Sequence, residues 1–167
     1  EGFLTELRRK KVGVLWKHFN NVFRVLPLAS VVGDRIFCVH AGISPELRSL
    51  EQIRKIKRPI DIPDKGLVTD LMWSDPIDVV DDWVPNTRGI SYMYNRANAE
   101  QFLNANGLEL ICRAHECCDD GFQFPYEDSR CVVTVFSCPN YEETDSNLGA
   151  CMEVTENLGV RFRAINI

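Results

Sequence analysis

Two of the three histidines in this 167-residue chain stand where a short apolar run gives way to small, polar or turn-forming residues. The runs are Ile36-Phe37-Cys38-Val39-His40-Ala41-Gly42 and Leu108-Glu109-Leu110-Ile111-Cys112-Arg113-Ala114-His115. Neutral imidazole is a ready ligand for zinc, manganese and iron, and a strand end fixes its direction while leaving one side open. Two imidazoles do not make a catalytic centre: a hydrolytic zinc takes about three protein ligands and a water, and a two-metal site takes more, with carboxylates among them. Two other readings fit the same residues. His40 and His115 can be satisfied histidines near a core, or they can join Cys38 and Cys112 in a Cys2His2 zinc site, since Cys38 and His40 share one strand face and Cys112 and His115 have a C-x2-H spacing. Buried structural cysteine is the commoner fate of such thiols.

The elements that must position these residues can be read from periodicity. Residues 3–21 have near-helical apolar spacing broken at Gly13, with His18 on their surface. Segments 23–32 and 35–39 read as a hairpin around Gly33-Asp34. Ser44-Pro45-Glu46-Leu47 has the form of a helix start, 50–56 and 69–72 read as short helices, and 97–106 as an amphipathic helix stopped at Gly107. Strands are expected at 108–112, 121–125, 131–136, 149–154 and 160–165, so the order predicts an α/β fold with a mixed sheet.

Composition narrows the class. With 45% hydrophobic residues and no Pro/Gly/Ser-rich linker, residues 1–167 are expected to form one unit. The longest uncharged apolar stretch is interrupted by Pro27 and is far short of the ~20 residues that span a bilayer, so no membrane association is expected. Seven cysteines without a C-x2-C pair argue against a secreted disulfide framework and for a cytoplasmic or nuclear protein. The net charge of -5 divides into a basic stretch over residues 1–70 and an acidic one over 71–167. The acidic part disfavours nucleic acid and suits basic partners or peptides.

The series Val39-His40-Ala41-Gly42-Ile43-Ser44-Pro45, Leu71-Met72-Trp73-Ser74-Asp75-Pro76, Arg88-Gly89, Arg113-Ala114-His115 and Ser137-Cys138-Pro139-Asn140-Tyr141 resembles the C-terminal half of the phosphoprotein phosphatase family of serine/threonine phosphatases. Glu51-Gln52-Ile53-Arg54, Arg58-Pro59 and Asp61-Ile62-Pro63-Asp64-Lys65-Gly66-Leu67 look most like its type-1 branch. Five motifs in family order make the resemblance specific. It implies a calcineurin-like metallophosphoesterase fold, a β-sandwich flanked by helices, here lacking its N-terminal half. Residues 1–167 would be the C-terminal part of one catalytic domain that hydrolyses phosphoserine and phosphothreonine by direct attack of a metal-activated water.

The resemblance also assigns roles. His40 and His115 match ligands of the second of two divalent ions (manganese, iron or zinc). Arg88 matches the arginine that grips the phosphate, Tyr141 a loop tyrosine over the metals, and Asp75 an acidic position that orients the proton-donating histidine. Without it, Arg88 would be an ordinary ion-pair residue, Tyr141 a loop aromatic and Asp75 part of a turn. Ile36, Leu110, Phe124, Met152, Leu158, Val160 and Phe162 match a groove that receives a short Val/Phe-containing motif of regulatory subunits, whereas composition alone would make them core. Leu158, Val160 and Phe162 alternate along the last strand and should share a face.

There are departures from the pattern. Ala41 replaces a glycine, which matters if that position needs positive φ. Ile77, Val79, Pro85 and Thr87 stand at acidic groove positions, with Asp78, Asp81 and Asp82 nearby to compensate. The loop Tyr141–Asn147 is acidic and lacks a cysteine. The family's Gly-Asp-x-His-Gly, Gly-Asp-x-Val-Asp-Arg-Gly and Gly-Asn-His-Glu motifs, which bring the remaining metal ligands and the acid, are not in the sequence. The isolated chain is therefore expected to be inactive on phosphoprotein substrates. The alternative is a truncated, non-catalytic module that docks regulatory partners.

Overall fold

Two parallel strands side by side bring the two histidines together. In the computed structural model, which describes residues 2–79, 82–141 and 146–166, β1 (Ala29–Val32) and β2 (Ile36–Val39) form an antiparallel hairpin through Gly33-Asp34. β2 then pairs in parallel with β6 (Leu110–Arg113), in the register Ile36 to Leu110 and Cys38 to Cys112. β6 pairs in parallel with β8 (Val132–Val135), and β7 (Phe122–Gln123) closes the sheet in the order β1-β2-β6-β8-β7. The C-terminal ends of β2, β6 and β8 therefore lie along one edge, where sites form in parallel sheets. His40, His115 and the segment leading to Tyr141 follow these ends in turn.

One face of this sheet carries the core. Phe37, Val39, Ile111 and Val132 pack with Phe102 and Leu103 of α5 (Arg96–Asn106) and with Ile43, Leu47 and Leu71. Phe37 and Phe102 meet edge to face with centroids 5.1 Å apart. Helix α5 starts at a reciprocal cap, Asn95 with Asn98, and ends at Gly107 in the left-handed conformation. The remaining helices are α1 (Phe3–Arg9), α2 (Trp16–Phe23), α3 (Leu50–Arg54) and α4 (Leu67–Trp73). A small sheet in the order β3-β5-β4 joins Asp75–Pro76, Tyr92–Tyr94 and Val84–Pro85, and β9 (Gly149–Val154) with β10 (Val160–Ile165) forms a separate hairpin.

The mixed α/β class and the mixed sheet are as expected, and β9 and β10 have the expected bounds. Several expectations need correction. Residues 45–46 form a turn, not a helix: Ser44 Oγ accepts the Glu46 N–H at 3.1 Å while its hydroxyl donates to Asp70 at 2.6 Å, and the chain closes a single turn, Leu47 N to the Ser44 carbonyl, without continuing. The strand over 23–32 begins only at Ala29, since α2 runs through Phe23. Residues 3–21 divide into two helices joined by a short 3-10 turn at Gly13–Leu15. Leu158 precedes β10 and has a φ of 60°, so it does not alternate with Val160 and Phe162 along the strand. The small sheet was not anticipated, because strands of two or three residues containing proline carry no periodicity.

Gly121 connects the main sheet to β9. Its φ is 77°, and a Cβ there would lie 2.4 Å from the Gly149 carbonyl carbon and 2.5 Å from the Ala150 nitrogen, backbone atoms that cannot turn aside. Gly121→Ala is expected to lower stability by at least about 2 kcal/mol. The midpoint of urea unfolding measures this, and an unchanged midpoint would refute the close packing of β9 on this turn.

Candidate active site

The backbone brings His40 and His115 into contact. The β2–β6 register sets His40 opposite Ala114, whose N–H donates to the His40 carbonyl at 2.9 Å. His115 lies one residue beyond, and its φ of 65° turns the chain there. The result is a His40 Nε2 to His115 Nδ1 distance of 3.1 Å, with the rings steeply inclined. Two nitrogens each ~2.1 Å from one ion can have this separation. Trp73 meets the His115 ring edge-on with centroids 5.5 Å apart.

Both imidazoles are held neutral. Partial burial is the largest cause of the lowered His40 pKa, and Arg113 adds to it. Burial likewise lowers His115 to about 4, with Arg88, Arg113 and His40 adding to the effect and Asp75 opposing it. Neutral nitrogens are what metal binding requires. His115 Nε2 is buried without a hydrogen-bond partner, 3.9 Å from Asp75 Oδ1.

Asp75, on β3, organises the positive charge. Its Oδ1 accepts from Arg113 Nη2 at 2.6 Å, while its Oδ2 accepts from Arg88 Nε at 2.7 Å and Asn86 Nδ2 at 2.9 Å. Burial alone would raise the Asp75 pKa, but the bonds from Asn86 and Arg88 and the charge of Arg113 outweigh it and hold it below the usual carboxylate range. With Nε committed to Asp75, the Arg88 side chain remains 37% exposed and has no other hydrogen bond to side chains among the described residues. A fork of N–H donors is thus held at the surface. Asn86 also accepts the Arg88 backbone N–H at 2.9 Å.

Arg113 is the residue that motif reading passed over. Its side chain is fully enclosed, and Nε donates to the Ala41 carbonyl at 2.5 Å, Nη1 to Glu116 at 2.7 Å, and Nη2 to Asp75. Strand alternation was the available signal, since Arg113 shares a face with core residue Ile111. Ala41 is not among the residues with positive φ, so its replacement of glycine carries no backbone strain. Glycine is needed one residue later: a Cβ on Gly42 would lie 2.3 Å from Tyr94 Cε1 and 2.6 Å from Ser74 Oγ.

The other candidates are more dispersed. Tyr141 is 43% exposed and meets Phe136 edge-on, with no hydrogen bond or ring contact to His40, His115 or Arg88. Residues 142–145 and Asp81 lie outside the described residues. Asp78 accepts from Glu127 N and Asp82 from Asn98 Nδ2, so both are engaged within the protein. Cys38 and Cys112 face each other and share a hydrogen bond that lowers Cys38 to about 7. No group of three or more His, Cys, Asp or Glu that could hold a metal occurs among the described residues, so the Cys2His2 arrangement is not assembled there. Ile36, Leu110, Phe124, Leu158, Val160 and Phe162 line one groove of about 290 Å³ away from the histidines, rimmed by the Arg35–Glu109 ion pair. Met152 stands opposite Phe162 in the β9–β10 ladder.

Residues 2–119 match the family model described as calcineurin-like phosphoesterase. The chain belongs to the calcineurin-like phosphoesterase family. Among solved structures it is similar to a protein serine/threonine phosphatase from Saccharomyces cerevisiae described as similar to human phosphatase PP5, with 27% identity and a TM-score of 0.88. The match covers 99% of this chain and 55% of that one, so the chain spans about half the length of that relative. The family resemblance to serine/threonine phosphatases read from the motifs therefore stands at the level of fold and homology. Among the described residues, no helix is long and apolar enough to cross a membrane.

Two predictions follow from the charges. Asp75→Ala removes one of the two carboxylates paired with the enclosed Arg113, leaving Glu116 alone at 2.7 Å, and is expected to cost about 3 kcal/mol in urea unfolding; a loss below 1 kcal/mol would contradict the buried pair. For His115, the folded pKa of about 4 lies below the ordinary histidine value of 6.5, so the unfolded chain binds the extra proton first as pH falls. Its contribution is complete above pH 6.5 and is lost towards pH 4, on the order of 3 kcal/mol for the metal-free chain. His115→Gln should flatten the midpoint-against-pH curve in that window, and a curve identical to wild type would refute the assignment.

Proposed function

We propose that this chain is the C-terminal half of a type-1-like, metal-dependent protein serine/threonine phosphatase domain, contributing two imidazole ligands and the phosphate grip to a two-metal site. The observation that carries the reading is the 3.1 Å convergence of His40 Nε2 and His115 Nδ1 at the strand ends, with the Asp75–Arg88 pair beside them, Asp75 Oδ1 being 3.9 Å from His115 Nε2. The two neutral nitrogens fit as ligands of one divalent ion, but they are too few to complete its shell. When bound, divalent ions supply an acidified water and offset the charge of a phosphate. Arg88 would hold phosphate oxygens through its fork while Asp75 fixes the guanidinium from behind. Tyr141 would approach the substrate from its loop.

Other observations support an incomplete site. A cleft of about 850 Å³ runs beside His40, lined by Phe23, Leu26, Leu28, Cys38, Ile62 and Met72 among others. Val14, Val22, Phe23, Val25 and Leu26 are exposed on or near the first two helices, more apolar surface than a finished domain usually leaves in one region. The remaining ligands and the proton donor would come from polypeptide that packs against this side.

Two experiments test this. In NMR titration with Zn²⁺, the His40 and His115 imidazole signals are expected to shift together while His18 responds little; independent, equally weak responses of all three would overturn the shared ligand role. With Mn²⁺ the isolated 167 residues are expected to show no hydrolysis of p-nitrophenyl phosphate above background, and robust metal-dependent turnover would refute the half-site.

A second reading, that of a docking module for regulatory subunits, is favoured by the groove beside β10. There Phe122 and Phe162 stack at 4.0 Å and Arg130 lies 4.5 Å above the Phe124 ring. A labelled peptide with Val and Phe anchors is expected to bind, and Phe162→Ala to weaken it ~10-fold or more. Equal affinity of the variant would exclude the groove.

A further inference from the structure

We propose that Asp70 is a positioning residue, one buried carboxylate that fastens the loop carrying His40 to the loop carrying Arg88 and so sets their relative placement. Its meaning for catalysis rests on the phosphatase reading above; the fastening itself does not. Asp70 lies on α4 and is 2% exposed. Its Oδ2 accepts from the Ser44 hydroxyl at 2.6 Å and its Oδ1 from the Ser91 hydroxyl at 2.7 Å. Ser44 follows His40 by four residues and Ser91 follows Arg88 by three.

The same helix grips both loops a second time. The Leu71 carbonyl accepts from Ala41 N at 3.1 Å, at the start of the His40 loop. Asn86, at the start of the Arg88 loop, donates to the Trp73 carbonyl at 3.1 Å, and its own N–H donates to the Ser91 carbonyl at 3.1 Å. Ser91 has a φ of 67°, a conformation that costs a non-glycine residue and persists only where its surroundings enforce it. The bond to Asp70 is such an enforcement. A carboxylate is the one side chain of this size that accepts from two hydroxyls at once; an amide offers one oxygen and would oppose its NH2 to the second donor.

Asp70 accepts from Ser44 and Ser91 and not from His40 or Arg88, so it acts on them through these two serines. The test is hydrogen exchange together with the NMR signal of Arg88 Nε–H, which reports its bond to Asp75. In Asp70→Asn, amide exchange in residues 41–47 and in residues 86–92 is expected to accelerate together by ~10-fold. The Arg88 Nε–H signal should shift or broaden while exchange in β8 stays as in wild type. Unchanged exchange in either loop, or uniform acceleration that includes β8, would overturn the proposal.

Should Asp70→Asn fail to fold, Ser91→Gly decides. It removes the hydroxyl while easing the positive φ, so a merely structural serine predicts equal or greater order. Positioning predicts faster exchange in 86–92 and a displaced Arg88 signal, and no change in either refutes it. Neither readout uses metal or phosphate. Absence of the shared Zn²⁺ response of His40 and His115 would therefore fail the phosphatase reading without touching this one.

Discussion

An enclosed guanidinium sets the terms for everything around it. Arg113 has no water to turn to, and an unpaired charge in that position would cost more than any single contact in the fold returns. Its partners come from four pieces of chain: Ser74 and Asp75 where α4 leads into β3, Glu116 beyond β6, the Ala41 carbonyl after β2, and Thr134 of β8. Each is in place only if the others are. The two carboxylates are shifted in opposite directions. The Asp75 pKa is held down by its hydrogen bonds, whereas burial raises that of Glu116 in spite of Arg113. The ends of β2 and β6, where His40 and His115 stand, are therefore tied to an electrostatic requirement of the interior rather than to loop preference.

The same carboxylate then couples the interior to the surface. One oxygen of Asp75 serves Arg113 and the other serves Arg88, so the direction of the exposed guanidinium is inherited from a buried one. Under the proposed reading this is preorganisation: the group that would meet a phosphate dianion is oriented in advance, and its reorganisation cost is met in folding. A free surface arginine of the same exposure would have to give up rotamer freedom on binding.

How much of this was legible in the residues depends on whether the determining contact is local. The ends of two apolar runs marked His40 and His115, because strand alternation and the change to small residues are local properties, and the β9–β10 bounds were readable for the same reason. Ser-Pro-Glu is a sound helix start, and Ser44 Oγ does accept the Glu46 N–H, but the hydroxyl is also fastened to a carboxylate twenty-six residues away and the segment stops at a single turn. Asp75 looked like part of a turn because its strand is two residues long and its partners are Arg88, Asn86 and Arg113. Arg113 itself was readable in principle: an arginine in step with Ile111 on a core face must have a buried counter-charge.

The two faces of the main sheet are covered unequally. Phe37, Val39, Ile111 and Val132 are covered by α5 and its neighbours, and that face alone supplies a continuous core. On the alternate positions, Ser30, Cys38 and Cys112 are aligned across three strands and remain partly open. Stability needs one face, because apolar area can be buried on one side of a sheet and still hold it together. A metal centre at the strand ends needs donors from more than one direction, since a coordination shell is not planar. Under the proposed reading, His40 and His115 would supply two neighbouring directions from a single sheet edge, so the vectors still required would point away from the part of the molecule that is already packed.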